Sequence, residues 1–256
     1  MFSNIIEIII LSIVQGISEF LPISSSAHLN IVEIIFEFNS NSLMIDVSLH
    51  LGSLLAIVFY FRRELLDLRN NQKLLSLLII GSIPIVIAGY VISSTGLVNL
   101  LENNLKIIAW TTLIFGIILY LADKSKFDKK ISSNLNFKTI LYIGLFQILA
   151  LIPGVSRAGI TITAARLFRF NRFDSSKISF LLAIPALTGA SVLGLKDVVN
   201  QSFEFSYLVF IAITLSFLSS YFTVKFFLEY INKFSLNIFV IYRIIISIIL
   251  FIIIYN

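Results

Sequence analysis

Long apolar runs, broken at intervals by short polar stretches, give this 256-residue chain its pattern. A helix needs about 20 mostly apolar residues to cross a bilayer. Six runs come close to that length: 45–61, 74–92, 105–121, 178–195, 207–222 and 236–255. Each predicts a membrane-spanning helix. Two further runs, 5–14 and 141–152, are shorter, and each leads straight into a polar turn. The first turn reads QGISEFLPISSSAH over 15–28; the second reads PGVSRAGITIT over 153–163. An apolar helix too short to cross and ending in polar residues predicts a re-entrant segment, because irregular backbone at membrane depth is tolerated only inside protein or along a watery cavity.

Composition agrees with this pattern. The chain is 58% hydrophobic and 13% charged, with mean hydropathy +0.98, far outside the range of soluble domains. The predicted fold class is all-α: a polytopic membrane protein forming a single integral membrane domain, 1–256. Its approximate halves, 1–121 and 139–256, are joined by a basic, solvated loop, 122–138. The absence of cysteine excludes disulfides and thiolate chemistry. The net charge of +5 lies in loops between apolar runs, where it reads as an orientation signal rather than a nucleic-acid surface. The first 61 residues hold no Lys or Arg, whereas basic residues crowd 62–73 and 124–138. Positive loops stay in the cytoplasm, so the turn at 15–28 is expected to open to the outer face.

The two half-length runs suggest an internal duplication. Pro22 and Pro153 lie 131 residues apart, and the same offset pairs Ser25 with Ser156 and Ser48 with Ser179. Inverted halves that bring two broken helices around one central site have this signature. Within 178–195, Ala186, Ala190 and Gly194 recur every fourth residue, a stripe suited to close helix packing.

Polar side chains are costly at membrane depth unless they line a cavity or serve a function. The first turn gathers Gln15, Glu19, Ser24, Ser25, Ser26 and His28 within fourteen residues. Gln15 and Glu19 share a helical face, Pro22 ends that helix, and the serines cap the next one and leave N–H groups for an anion. Capping accounts for the serines but not for Glu19 and His28. In the second turn Gly154 and Gly159 allow close backbone approach, Ser156 and Thr161 bring hydroxyls, and Arg157 offers a donor fork matched to phosphate. Together the turns read as a phosphate clamp. His50, alone in an apolar run, reads as a packing residue, and Arg166, Arg169 and Arg172 as residues facing lipid headgroups.

These segments, with DVSLHLGSLLAIVFYFRRE, ISFLLAIPALTGA and the closing IYR, resemble the bacitracin-resistance type of undecaprenyl-diphosphate phosphatase nearly from end to end. The resemblance implies an enzyme of the bacterial inner membrane that removes the terminal phosphate of a polyprenyl diphosphate, recycles the cell-wall lipid carrier and confers bacitracin resistance. It implies catalytic roles for His28, Ser25, Glu19 and Arg157. Phosphate would be bound by Gln15, Ser24, Ser26, Ser156, Gly154 and Thr161, and a divalent cation, Mg²⁺ or Ca²⁺, by Glu19 through the diphosphate oxygens. The expected partners are the polyprenyl diphosphate and membrane lipid, not nucleic acid, with room for a homodimer. Ala27 and Ala158 depart from the family pattern, the second removing one hydroxyl from the anion site. The order in which His28 and Ser25 act stays open at this level. A lipid-carrier transporter of inverted-repeat type is the rival reading, because broken helices also serve transport.

Overall fold

The computed structural model describes residues 2–36, 38, 43–95, 104–125, 129–199 and 207–255. Among them the chain is helical throughout: α1 (Phe2–Ser18), α2 (Ser25–Phe36), α3 (Leu43–Tyr60), α4 (Arg62–Asp67), α5 (Gln72–Thr95), α6 (Leu105–Asp123), α7 (Ile131–Asn134), α8 (Phe137–Gln147), α9 (Arg157–Leu167), α10 (Arg172–Val199), α11 (Tyr207–Ile231) and α12 (Asn237–Tyr255). A 3₁₀ turn, Ile148–Leu151, continues α8. The only bridge outside helices pairs Lys129 with Phe170 among the described residues.

Six helices, α3, α5, α6, α10, α11 and α12, are long and apolar enough to cross a membrane, and they coincide with the six long runs of the sequence. The short runs became α1 and α8 with its 3₁₀ extension, both below spanning length. Large apolar side chains such as Ile87, Trp110, Phe210 and Ile252 face outwards, where a bilayer accepts them. Small polar groups instead sit inside. Ser220 donates to Ser53 (3.0 Å) and Ser216 to the Leu49 carbonyl (2.6 Å), tying α11 to α3. The α5–α8 crossing is closer still, because a Cβ on Gly144 would collide with the Gly81 backbone.

The basic connection is less solvated than its composition suggests. Asp123 is buried and accepts from Arg166 Nε (3.1 Å), Arg172 Nε (2.8 Å) and the Leu236 amide (3.2 Å). Arg166 is fully buried, its other donors spent on the carbonyls of Phe170, Asp123 and Ser125. The headgroup reading therefore fails for Arg166, and Arg172 too is held by Asp123; only Arg169 remains exposed. These arginines pin α6, α9, α10 and the start of α12 together.

The two interrupted segments are alike in backbone. α1 stops at Ser18, a turn runs through Pro22, and Ser24 takes φ 78° just before α2. In the second segment a turn runs through Pro153 and Ser156 takes φ 71° just before α9. The left-handed region costs a residue other than glycine about 1–3 kcal/mol and is held only where surrounding structure enforces it. The matching serines correct the register by one. The second turn carries an extra residue between proline and serine, so Ser24 answers to Ser156, and Ser25 to Arg157.

Candidate active site

The matched turns meet. Glu19, Ser24, Ser25, Ser26, Ser156 and Arg157 line one cavity of about 200 Å³, closed on its apolar side by Ile85, Ala150, Leu151, Ala186 and Leu187. Glu19 is the hub. One carboxylate oxygen accepts from Arg157 Nη2 (2.9 Å); the other accepts from the Ser25 hydroxyl (2.8 Å) and Gln15 Nε2 (3.1 Å). Burial alone disfavours a charged carboxylate, and the Arg157 guanidinium is the main compensation, helped by the Ser25 hydroxyl. Ser25 and Arg157, each the first residue of its helix, thus grip the same group from opposite halves of the chain.

Arg157 keeps a donor in reserve. Nη1 and Nη2 also reach the Ser179 and Glu19 carbonyls (both 3.3 Å), while the buried Nε has no partner. A buried donor without a partner costs about 1–3 kcal/mol. Ser156 Oγ caps α9 through the Gly159 amide (3.1 Å).

His50 belongs to this constellation and not to the packing. Gln15 has its amide nitrogen against two acceptors, the Glu19 carboxylate and His50 Nδ1 (3.0 Å). The carboxylate can only accept, so the nitrogen faces it, and donation to Nδ1 leaves the imidazole proton on Nε2. His50 lines the cavity. A lone histidine on an apolar helix carries no sequence signal that would separate these two roles.

The remaining predicted site residues lie around the cavity rather than in its wall. His28 Nδ1 meets the Ser24 carbonyl (2.6 Å), its Nε2 meets the Tyr242 hydroxyl (2.6 Å), and no hydrogen bond joins it to Ser25 among the described residues. Thr161 is fully buried and bonds to Ser179 Oγ (2.6 Å). Gly154, at φ 86°, lies against Thr112 and the Ile108 carbonyl, where a Cβ would have no room. It takes part through its carbonyl, which accepts from Arg243 Nη2 (2.9 Å).

Arg243, fully buried on α12, is the residue that sequence reasoning left without a role. Its Nη1 donates to the Pro22 and Val155 carbonyls (3.2 and 3.1 Å) and its Nε to the Thr112 carbonyl (3.1 Å). One side chain thereby fastens both turns to each other and to α6. Nothing short of the fold foretells that, because its acceptors are backbone atoms far away in sequence.

No three His, Asp or Glu side chains converge as a ready metal cage among the described residues. Among the described residues Glu19 is the only carboxylate in the cavity, and Arg157, Ser25 and Gln15 engage both its oxygens.

A family model described as bacitracin resistance protein BacA matches residues 8–249. The chain belongs to this family. Among BacA relatives, the undecaprenyl-diphosphatase of Pelagibacter ubique (strain HTCC1062) is 94% identical over 256 residues, covering all of both chains. That of Elusimicrobium minutum (strain Pei191) is 38% identical over 260 residues, 96% of this chain and 97% of the relative. That of Alteromonas mediterranea is 38% identical over 258 residues, 94% of this chain and 95% of the relative. Both turns of the cavity fall inside the stretch that the BacA family model covers.

Proposed function

We infer that the cavity between the two turns is where this chain, a multi-pass membrane hydrolase of the BacA family, removes the terminal phosphate of undecaprenyl diphosphate. The observation that carries the reading is the shared grip of Ser25 and Arg157 on Glu19. It puts a hydroxyl, a base and a phosphate-matched cation in one small space. The apolar wall of Ile85, Ala150 and Leu187 suits the first isoprene units of the lipid.

Glu19 accepts the Ser25 proton while Ser25 Oγ attacks the terminal phosphorus, and the bond from that phosphorus to the bridging oxygen breaks. Lipid monophosphate leaves, its freed oxygen taking that proton from Glu19. Water then attacks the phosphoserine and gives a proton to Glu19, which passes it to the Ser25 oxygen as the bond to phosphorus breaks and inorganic phosphate leaves. Arg157 and the N–H groups opening α2 and α9 take up charge on the transferred group. His50 adds Nε2–H, and Gln15 holds His50 and Glu19 in register. His28 steadies the strained Ser24 turn from behind. A divalent cation, Mg²⁺ or Ca²⁺, would supply neutralisation of the diphosphate. The cavity opens to the outer face of the bacterial inner membrane, in keeping with the charge distribution of the loops.

Acid quenching of the enzyme during turnover of a terminally ³²P-labelled polyprenyl diphosphate tests this scheme. Label stable in acid and lost in Ser25→Ala supports it. Acid-labile label that persists in Ser25→Ala and disappears in His28→Ala transfers the role to His28.

A further inference from the structure

Beside the catalytic cavity lies a second, larger one of about 450 Å³ between α2, α3 and α10. Ser26 and His50 line both, so the two are adjoining chambers. The second chamber is acidic: Glu33 from α2 and Asp46 from α3 both line it, and the charge of Asp46 acts on Glu33. It also holds an unanswered polar group. Ser191 on α10 is buried, with 4% of its surface exposed, and its hydroxyl has no partner. The stripe of small residues on α10 makes the space, Ala190 and Gly194 lining this chamber and Ala186 the catalytic one.

Two carboxylates beside a site for diphosphate are the wrong sign for a bare anion. Like charges sharing a confined space repel both each other and the substrate. A divalent cation reverses the balance, because it relieves the carboxylates and attracts the phosphate. Mg²⁺ commonly keeps several waters and takes only one or two carboxylates, the remaining ligands coming from substrate phosphate. The absence of a three-ligand cage is therefore no obstacle.

Building on the phosphatase reading, we propose that this antechamber binds the divalent cation through Glu33 and Asp46, with the Ser191 hydroxyl on its water shell, and meets the diphosphate there. Glu19 is then free to stay with Ser25 and Arg157. The cation is a property of the α2–α3–α10 chamber and not of the catalytic carboxylate.

Mn²⁺ alone, titrated into the detergent-solubilised full chain without substrate and followed by electron paramagnetic resonance, separates the two locations. The expected result is one bound Mn²⁺ in the wild type and in Glu19→Gln, with affinity reduced tenfold or more in Glu33→Gln/Asp46→Asn. Each single exchange, nearly isosteric, should weaken binding part-way and gives the reading by itself if the double variant fails to fold. Binding lost in Glu19→Gln, binding unchanged in the double variant, or no binding to the wild type overturns the proposal. Phosphate release by the wild type is scored separately, so failure of the phosphatase reading and failure of the cation site are told apart.

Discussion

Replacement of Arg157 by alanine should damage activity and stability by separate routes. In the structure Arg157 neutralises Glu19 across 2.9 Å, with 11% of the arginine side chain and 5% of the glutamate exposed. Removing one partner of such a buried pair leaves an uncompensated charge, at a cost of about 3–5 kcal/mol. Loss of one well-placed donor to the transition state costs about 10²–10³ in rate. Arg157→Ala alone confounds the two, but Arg157→Ala/Glu19→Gln does not, because the glutamine leaves no buried charge behind. Denaturation in detergent should show Arg157→Ala destabilised by several kcal/mol and the double variant restored most of the way. Phosphate release from a polyprenyl diphosphate should stay at least about 10² below wild type in both. Two outcomes would refute the reasoning: Arg157→Ala keeping more than roughly a third of wild-type activity, or a double variant as unstable as the single one.

Three further outcomes are expected. Glu19→Gln, nearly isosteric, should lose about 10² or more in turnover, as for removal of a catalytic base; chelation should silence the wild type, and Mg²⁺ or Ca²⁺ should restore the wild type but not the variant. Asn30→Cys should react with a membrane-impermeant thiol reagent in intact cells while Ser125→Cys should not, and the opposite labelling would reverse the topology. Gly154→Ala, which puts a Cβ against Thr111 and the Ile108 carbonyl at φ 86°, should lower stability by at least the roughly 1–3 kcal/mol of the strained backbone; a thermal midpoint equal to that of the wild type would show that the turn relaxes freely.

The parts of the fold read correctly from the sequence are those that a bilayer dictates locally. Hydropathy located the six spans because lipid-facing residues must be apolar along their whole length, and the half-length runs stood out for the same reason. Gln15, Glu19, Ser25 and Arg157 were visible as polar residues where polarity is expensive. What failed depends on contacts distant in sequence. Arg166 near a span end looks like any snorkelling arginine until Asp123, on another helix, is found beside it. The matching of the two turns was one residue off because proline, the visible marker, is not at an equivalent place in them, whereas the left-handed serine is. His50 could be assigned only once Gln15 was seen to touch it.

Arg243 has a consequence for how the molecule is made. Its guanidinium closes both turns, yet it belongs to α12, the last helix in chain order. While α1 to α11 enter the membrane, the carbonyls of Pro22, Gly154 and Val155 wait without this donor, and the two left-handed serines lack the clamp that holds their turns together. The Arg243 fastening of the two turns thus comes last, when the final span delivers its arginine between segments translated long before.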